Sequence, residues 1–252
     1  MSRSMSGQRV VLTGAAGGVG RATLRALAAE GCRVCATDLS ASVNSLAEEM
    51  GLSGLVTIAA DVSRSDDVER IYELAERTFG DVDCLISNAA RIVSKPVHET
   101  TEEEWDGVMD VNVKSFFLMA RRVLPSMIRN RAGAIVATGS ISSVVGLQAQ
   151  AAYCASKGAL LQLVRQMAVD YASSGIRVNA VGPGSIDTPF LRTYLEGLDD
   201  PDAGAAAIKA AHPLGRWAQP EEIADAILYL AGPTSSFVTG QILMVDGGYT
   251  AR

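Results

Sequence analysis

Aromatic side chains make up only 5% of this 252-residue chain, histidine occurs twice, and basic residues are outnumbered by acidic ones, 22 to 28. Each shortage excludes something. With a net charge of −6 and a pI near 5.0, the chain lacks the basic surface that nucleic acid requires. No uncharged apolar run reaches the ~18 residues needed to span a bilayer. The N-terminal MSRSMSGQ has no apolar core, so no signal peptide is expected and the cytoplasm is the expected compartment. Of the four cysteines, Cys32, Cys35, Cys84 and Cys154, the first two form a CxxC. That pair enters a strand, where residues three apart point to opposite faces, and no second cysteine or histidine pair lies near. No metal is expected, and the cysteines read as small core residues. His98 and His212 stand alone in loop-like surroundings and read as surface histidines. The cluster Arg121, Arg122, Arg129 and Arg131 reads as the solvated exit of a helix.

What is present is an ordered series of apolar strands. With 48% hydrophobic and 20% charged residues, the chain can bury a large core. Strand-like runs occur at Arg9 to Thr13, Arg33 to Asp38, Leu55 to Asp61, Val82 to Ala89, Ala134 to Ser140, Arg177 to Gly182 and Gln241 to Val245. Helical stretches separate them, which predicts an α/β fold: a doubly wound, seven-stranded parallel sheet with helices on both faces. Continuous runs such as VVL, AIVA and ILMV suit strands covered on both sides. Residues 1–252 read as one domain, with a mobile insert between Thr188 and Pro220. Trp105 to Arg129 and Ala151 to Ala172 are apolar or small nearly all round, so one face of each helix calls for a partner subunit.

Ser140, Tyr153 and Lys157 stand out for their spacing. Tyr153 follows Ser140 by thirteen positions and Lys157 follows Tyr153 by four, which puts phenol and ammonium on one helix face. A phenol ordinarily titrates near ~10, so to act as a base near neutrality it needs roughly 3 to 4 kcal/mol of preferential phenolate stabilisation. The Lys157 cation supplies part of that, and a positively charged nicotinamide ring would supply more.

The N-terminus offers a place for such a group. RVVLTGAAGGVGRATLRALAAEG reads as strand, glycine turn and helix. Gly14 permits the tight turn, Gly18 lets backbone N–H groups approach a pyrophosphate, and Gly20, after Val19, lets the helix pack on the strand. The next strand ends in Asp38, an acid suited to the adenosine ribose hydroxyls and repulsive to a 2′-phosphate. No Lys or Arg occupies Ala15, Ala16, Gly17 or Leu39, so NAD is the expected cofactor. Asp38, Asp61 and Asn88 each also have a plain structural reading, as turn or cap residues. At the carboxyl ends of successive parallel strands, however, they would line the crevice where such sheets bind ligands.

These stations together resemble the short-chain dehydrogenase/reductases over almost the whole chain. The matching segments are TGAAGGVG at Thr13 to Gly20, Asp61-Val62, Asn88-Ala89-Ala90, Asn112, the Ser140, Tyr153 and Lys157 set, RVNAVGPG at Arg177 to Gly184, Thr188, and VDGG at Val245 to Gly248. The resemblance implies that Tyr153 exchanges the proton of the reacting hydroxyl. Lys157 would lower the Tyr153 pKa and bind the nicotinamide ribose, Ser140 would orient the reacting oxygen, and Asn112 would kink its helix and hold a relay water. It places Asp61 and Val62 near adenine, Asn88 and Ala89 along the cofactor, and Thr188 at the carboxamide near Pro183, Gly184 and Ile186. It also implies a homotetramer. Ala90 stands where the family commonly has glycine. The glycine motif also fits the longer sugar-nucleotide epimerases, but those carry a larger C-terminal substrate domain.

Substrate signals are thinner. Phe190, Leu191, Tyr194 and Trp217 of the insert can exclude water. Arg192, Lys209 and Arg216 read as paired or solvated rather than as a carboxylate clamp, and Ser142, Gln148 and Gln150 offer neutral hydrogen bonds. Three readings follow: an NAD-dependent dehydrogenase of a small secondary alcohol (sugar, polyol, hydroxy acid or cyclic diol), a 3-oxoacyl carrier-protein reductase, and a non-catalytic dinucleotide sensor.

Overall fold

The computed structural model describes residues 4–196 and 199–252. Seven strands, β1 (Arg9–Thr13), β2 (Arg33–Asp38), β3 (Leu55–Ala59), β4 (Cys84–Ser87), β5 (Gly133–Thr138), β6 (Ile176–Pro183) and β7 (Ile242–Val245), form one parallel sheet in the order β3-β2-β1-β4-β5-β6-β7. The expected strands are present, and the third, fourth and fifth stop short of their expected carboxyl ends. Asp61, Asn88, Ala89 and Ser140 therefore lie in the loops beyond the strands, free of ladder hydrogen bonds.

Burial on both faces explains the continuous apolar runs. Val11 and Cys35 point into a core shared with Ile71, Phe116 and Val164 of the helices α3 (Ser65–Phe79), α5 (Ser115–Asn130) and α6 (Ala151–Tyr171). Val10, Leu12 and Cys32 belong to the opposite core, with Leu27 of α1 (Gly18–Ala29) and Ile227 of α9 (Pro220–Ala231). The two cysteines of the CxxC thus lie on opposite faces, as the strand period requires. Burial pushes Cys32 up to about 11, and Cys35 and Cys84 up to about 12, which makes them inert thiols. Cys154 is only partly buried, so the core reading holds for three of the four.

Two expectations about helices and charges change. The stretch read as one helix from Trp105 is α4 (Glu102–Met109), started by a Thr101–Glu104 capping box, then a π turn over Asp110–Lys114, then α5. Arg122 is not simply solvated. It donates to Glu69 (2.8 Å) and to both carboxylate oxygens of Glu76 (2.9 and 2.8 Å), with its guanidinium 5.3 Å from the Tyr72 ring centroid. The insert after Thr188 contains α7 (Pro189–Glu196) and α8 (Pro201–Ala210); a short α2 (Leu46–Met50) precedes β3.

Candidate active site

The strand order reverses between β1 and β4, and a crevice opens at their carboxyl ends. Gly14 there takes φ +65°, and a Cβ on Gly20 would lie 2.1 Å from Gly14 O, so only glycine lets α1 approach the turn. Gly17 precedes α1 as a cap position with no side chain to fill it, so first-turn N–H groups stay available to an anion. Val19 is buried. The far side of the turn is closed by the loop after β4: Thr13 Oγ1 accepts from Asn88 and Ala89 N–H (both 3.0 Å), and Asn88 Nδ2 donates to Gly14 O (3.1 Å).

Asp38 Oδ2 accepts from Ala16 N–H at 3.0 Å and Oδ1 from Ser40 N–H at 2.9 Å, which pins the carboxylate against the glycine turn. Leu39 beside it is 74% exposed. Sequence reasoning missed Arg21, whose Nε donates to Ala16 O (3.0 Å) while Nη1 pairs with Glu49 (2.8 Å). Its helical position, directly after Gly20 and one turn past Gly17, gave the only available hint. Asp61 Oδ1 accepts from Ser63 N–H (2.9 Å) and Oγ–H (2.6 Å), and Val62 is buried in the core shared with α3 and α5. Pro183 ends β6 and leads to Gly184, Ile186 and Thr188. The Thr188 Cγ2 methyl lies over Gly18, where an added Cβ would come within 2.7 Å of it.

The proton-handling groups meet at the other end. Lys157 is buried, donates from Nζ to Thr138 O (2.7 Å), and lies 5.6 Å from the Tyr153 ring centroid one turn back on α6. Ser140 Oγ accepts from Ser142 N–H at 3.0 Å, so its own proton is free to be donated elsewhere. Burial pushes the Tyr153 phenol up to about 12, and the neighbouring Ser140 hydroxyl opposes this. Burial draws the Lys157 ammonium down to about 8. In the chain alone, then, desolvation sets the direction of the Tyr153 shift, opposite to the lowering by Lys157 that the sequence suggested. Asn112 sits in the π turn, 3% exposed, and its amide clasps the Arg91 backbone and Ser156 Oγ. The solvent-facing alternative for Asn112 is thereby removed.

Tyr153 opens onto a cavity of about 620 Å³, within the range of small-molecule sites. Ile141 and Gln150 form one wall; Thr188, Leu191 and Tyr194 of the insert form another. Trp217 is not among its walls; Lys209 Nζ lies 4.3 Å from its ring centroid. The side chain of Phe190 lies outside the described part of the structure.

The surface reading of His212 is corrected: it is 3% exposed and lines the cavity. Its Nε2 accepts from Ser185 N–H (3.1 Å) and its Nδ1–H donates to Ile208 O (2.8 Å), contacts that set one neutral tautomer. His98, by contrast, is exposed. Tyr249, three residues from the C-terminus, is a further cavity residue that sequence reasoning missed.

Comparison with known proteins agrees with this geometry. The family model described as enoyl-(acyl carrier protein) reductase matches residues 14–250. The chain is 37% identical over 254 residues to 2-(S)-hydroxypropyl-CoM dehydrogenase 3 of Xanthobacter autotrophicus and 39% identical over 254 residues to cis-4-hydroxycyclohexanecarboxylate dehydrogenase of Sinomonas cyclohexanicum, in each case with 100% of both chains covered. It is 36% identical to the 3-oxoacyl-[acyl-carrier-protein] reductase of Thermotoga maritima, over 97% of this chain and 98% of that one. The crystal structure of gox2181 superposes with a TM-score of 0.92 at 32% identity, covering 99% of this chain and 98% of the other. The chain belongs to the short-chain dehydrogenase/reductase family. It is an oxidoreductase acting on CH–OH groups with a nicotinamide cofactor.

Proposed function

We propose that this protein is an NAD-dependent dehydrogenase of a small secondary alcohol, working as a homotetramer in the cytoplasm, with Asn112, Ser140, Tyr153 and Lys157 as its catalytic set. One observation carries the reading: Ser140, beyond the carboxyl end of β5, hydrogen-bonds Tyr153, whose ring lies beside Lys157, while the uncapped α1 N-terminus and Asp38 lie at the carboxyl ends of β1 and β2 in the same sheet. The close glycine packing and available N–H groups fit a pyrophosphate, and Asp38, with no cation among its hydrogen-bond partners, fits an unphosphorylated ribose. Gly14, Gly18, Val19, Gly20, Leu39, Asp61, Val62, Asn88, Ala89, Pro183, Gly184, Ile186 and Thr188 would complete the cofactor's surroundings. The dinucleotide, when bound, supplies the hydride acceptor or donor and, in its oxidised form, a positive charge.

The chain's own residues handle the proton. Tyr153 takes it from the substrate hydroxyl in oxidation and returns it to the carbonyl oxygen in reduction. Ser140 Oγ–H donates to that oxygen, oriented by the bond it accepts from Ser142 N–H. The Lys157 cation, held by Thr138 O, lowers the cost of the phenolate and binds the nicotinamide ribose. Asn112, through the π turn, holds the helix shape that leaves room for a relay water.

Four free thiols suit a reducing compartment. Val169 on α6 (81% exposed) and Phe237 near the C-terminal segment (fully exposed) give a partner subunit apolar surface to cover. A 3-oxoacyl carrier-protein reductase is the second reading, favoured by the Thermotoga relative. Against it stands Asp38, and within the arginine cluster Arg122 and Arg129 are paired with acids. Reduced-cofactor formation across sugars, polyols, hydroxy acids and cyclic diols, run with NAD and NADP in parallel, tests the assignment. Turnover with NAD on one group supports it; turnover only with NADP, or only of 3-oxoacyl thioesters, refutes it.

A further inference from the structure

The substrate end of the cavity is uncharged. Among the described residues that line it there is no Lys, Arg, Asp or Glu. Its one imidazole, His212, is fully engaged by backbone groups, accepting from Ser185 N–H and donating to Ile208 O. An anionic ligand seated there would meet no cation and no free imidazole N–H.

The nearby cations are committed elsewhere. Arg192 pairs with Asp187 (3.0 Å), Arg216 with Glu222 (2.7 Å), and Lys95 with Glu104 (2.6 Å), while Lys209 lies against Trp217. Arg252 is outside the lining: it donates to Ala211 O (2.7 Å) and its guanidinium sits 5.9 Å from the Tyr249 ring centroid. Lys157 serves the reacting end and is held by Thr138 O. Moving a carboxylate into such a site without a counter-charge is costly.

The free polar groups are neutral. Gln150 Oε1 accepts from Ser142 Oγ–H (3.2 Å), which leaves its amide N–H groups to donate. Gln148 and the hydroxyls of Tyr194 and Tyr249 have no hydrogen-bond partner among the described residues and line the same space. Between them lie Ile92, Leu147, Leu191 and Ile208, which suit an apolar body. Tyr249 is fixed by its ring contact with His212, 5.3 Å between centroids, and by the turn that Asp246 ties through Gly248 N–H and Thr250 N–H.

We infer that the substrate is an uncharged secondary alcohol with an apolar, alicyclic or short aliphatic body and a second neutral oxygen for Gln148, Gln150 or Tyr249, and that hydroxy acids are discriminated against. This rests on the dehydrogenase reading above and narrows it. It sets the protein apart from a relative whose name specifies a carboxylate substrate.

Isosteric pairs separate charge from shape. 4-Hydroxycyclohexanecarboxylate and 3-hydroxybutanoate are compared with their primary amides as substrates of the native protein. In parallel, the corresponding oxo acids and oxo amides are titrated onto the Tyr153→Phe protein saturated with NADH, with binding read by NADH fluorescence. The expected result is a preference for the amides of at least about tenfold in affinity, which corresponds to ~1.4 kcal/mol, and its inversion by Gln148→Arg. Equal or tighter binding of the acids, or no binding of any amide, overturns the inference. Selective amide binding without turnover by the native protein would uphold the inference and count against the dehydrogenase reading instead.

Discussion

The Asn112 amide is closed onto both backbone groups of Arg91: Oδ1 accepts from Arg91 N–H at 2.8 Å and Nδ2 donates to Arg91 O at 2.8 Å. A third bond, from Nδ2 to Ser156 Oγ at 2.9 Å, reaches the helix that carries Tyr153 and Lys157. One side chain in a π turn thus joins the loop after β4, the α4–α5 pair and α6. The clasp uses both ends of the amide, so no other side chain of similar size satisfies it.

Replacing Asn112 therefore affects stability as well as turnover. Asn112→Ala leaves the Arg91 N–H and C=O without their partner and should cost about 2 to 4 kcal/mol. Asn112→Asp retains the acceptor but turns a buried carboxylate oxygen onto Arg91 O, so it should be at least as destabilising as Asn112→Ala near neutral pH. Chemical denaturation monitored by circular dichroism checks the order; an Asn112→Ala protein as stable as the parent would show that the clasp contributes little.

Tyr153→Phe removes the hydroxyl and keeps the ring. Turnover should drop by about 10²- to 10⁴-fold, the usual contribution of a positioned acid–base group, while NADH affinity stays close to that of the parent. Steady-state rates and NADH fluorescence titration report the two quantities separately. Activity within tenfold of the parent would remove Tyr153 from its proposed role.

Asp38→Ala relieves the repulsion of a 2′-phosphate, so the preference for NAD over NADP should narrow by about tenfold or more, a change of ~1.4 kcal/mol. The same substitution releases Ala16 N–H and Ser40 N–H, so some loss of affinity for both cofactors should accompany it. Comparing kcat/KM for the two cofactors distinguishes these effects: an unchanged ratio would mean that Asp38 only braces the glycine turn.

The pH dependence of stability carries a sign set by Lys157. Its ammonium is drawn down to about 8 in the folded chain from an ordinary 10.5, so between those values the unfolded chain binds more protons. This contribution therefore rises with pH across that window, by at most ~1.4 kcal/mol per pH unit. Tyr153, pushed up to about 12 from 10, acts in the opposite sense above pH 10, as do the buried thiols above pH 9. The comparison with Lys157→Met isolates the lysine: the variant should be the more stable protein at pH 7, and its advantage should shrink between pH 8 and about 10.5. A constant difference across that range would show that Lys157 keeps an ordinary pKa.

Much of the fold was legible in the residues because its determinants are local. A strand covered on both faces must be apolar through its middle, and β1 and β2, built around residues 10–12 and 34–36, have the bounds expected from the sequence. The glycine turn needs residues without a Cβ at Gly14 and Gly20, and the four-residue step from Tyr153 to Lys157 is a helix property. Those constraints act over a few residues, so composition and spacing carry them.

The tertiary structure decided whatever depends on a partner from far along the chain. His212 looks like a loop histidine until the fold brings Ser185 N–H to its Nε2 from 27 residues away. Arg122 looks solvated until Glu69 and Glu76 arrive from α3, and Tyr249 joins the cavity because the C-terminal turn packs under the insert. The Tyr153 and Lys157 shifts likewise depend on how completely other elements exclude water. Desolvation and hydrogen-bond completion are properties of the assembled layers, and no local pattern encodes them.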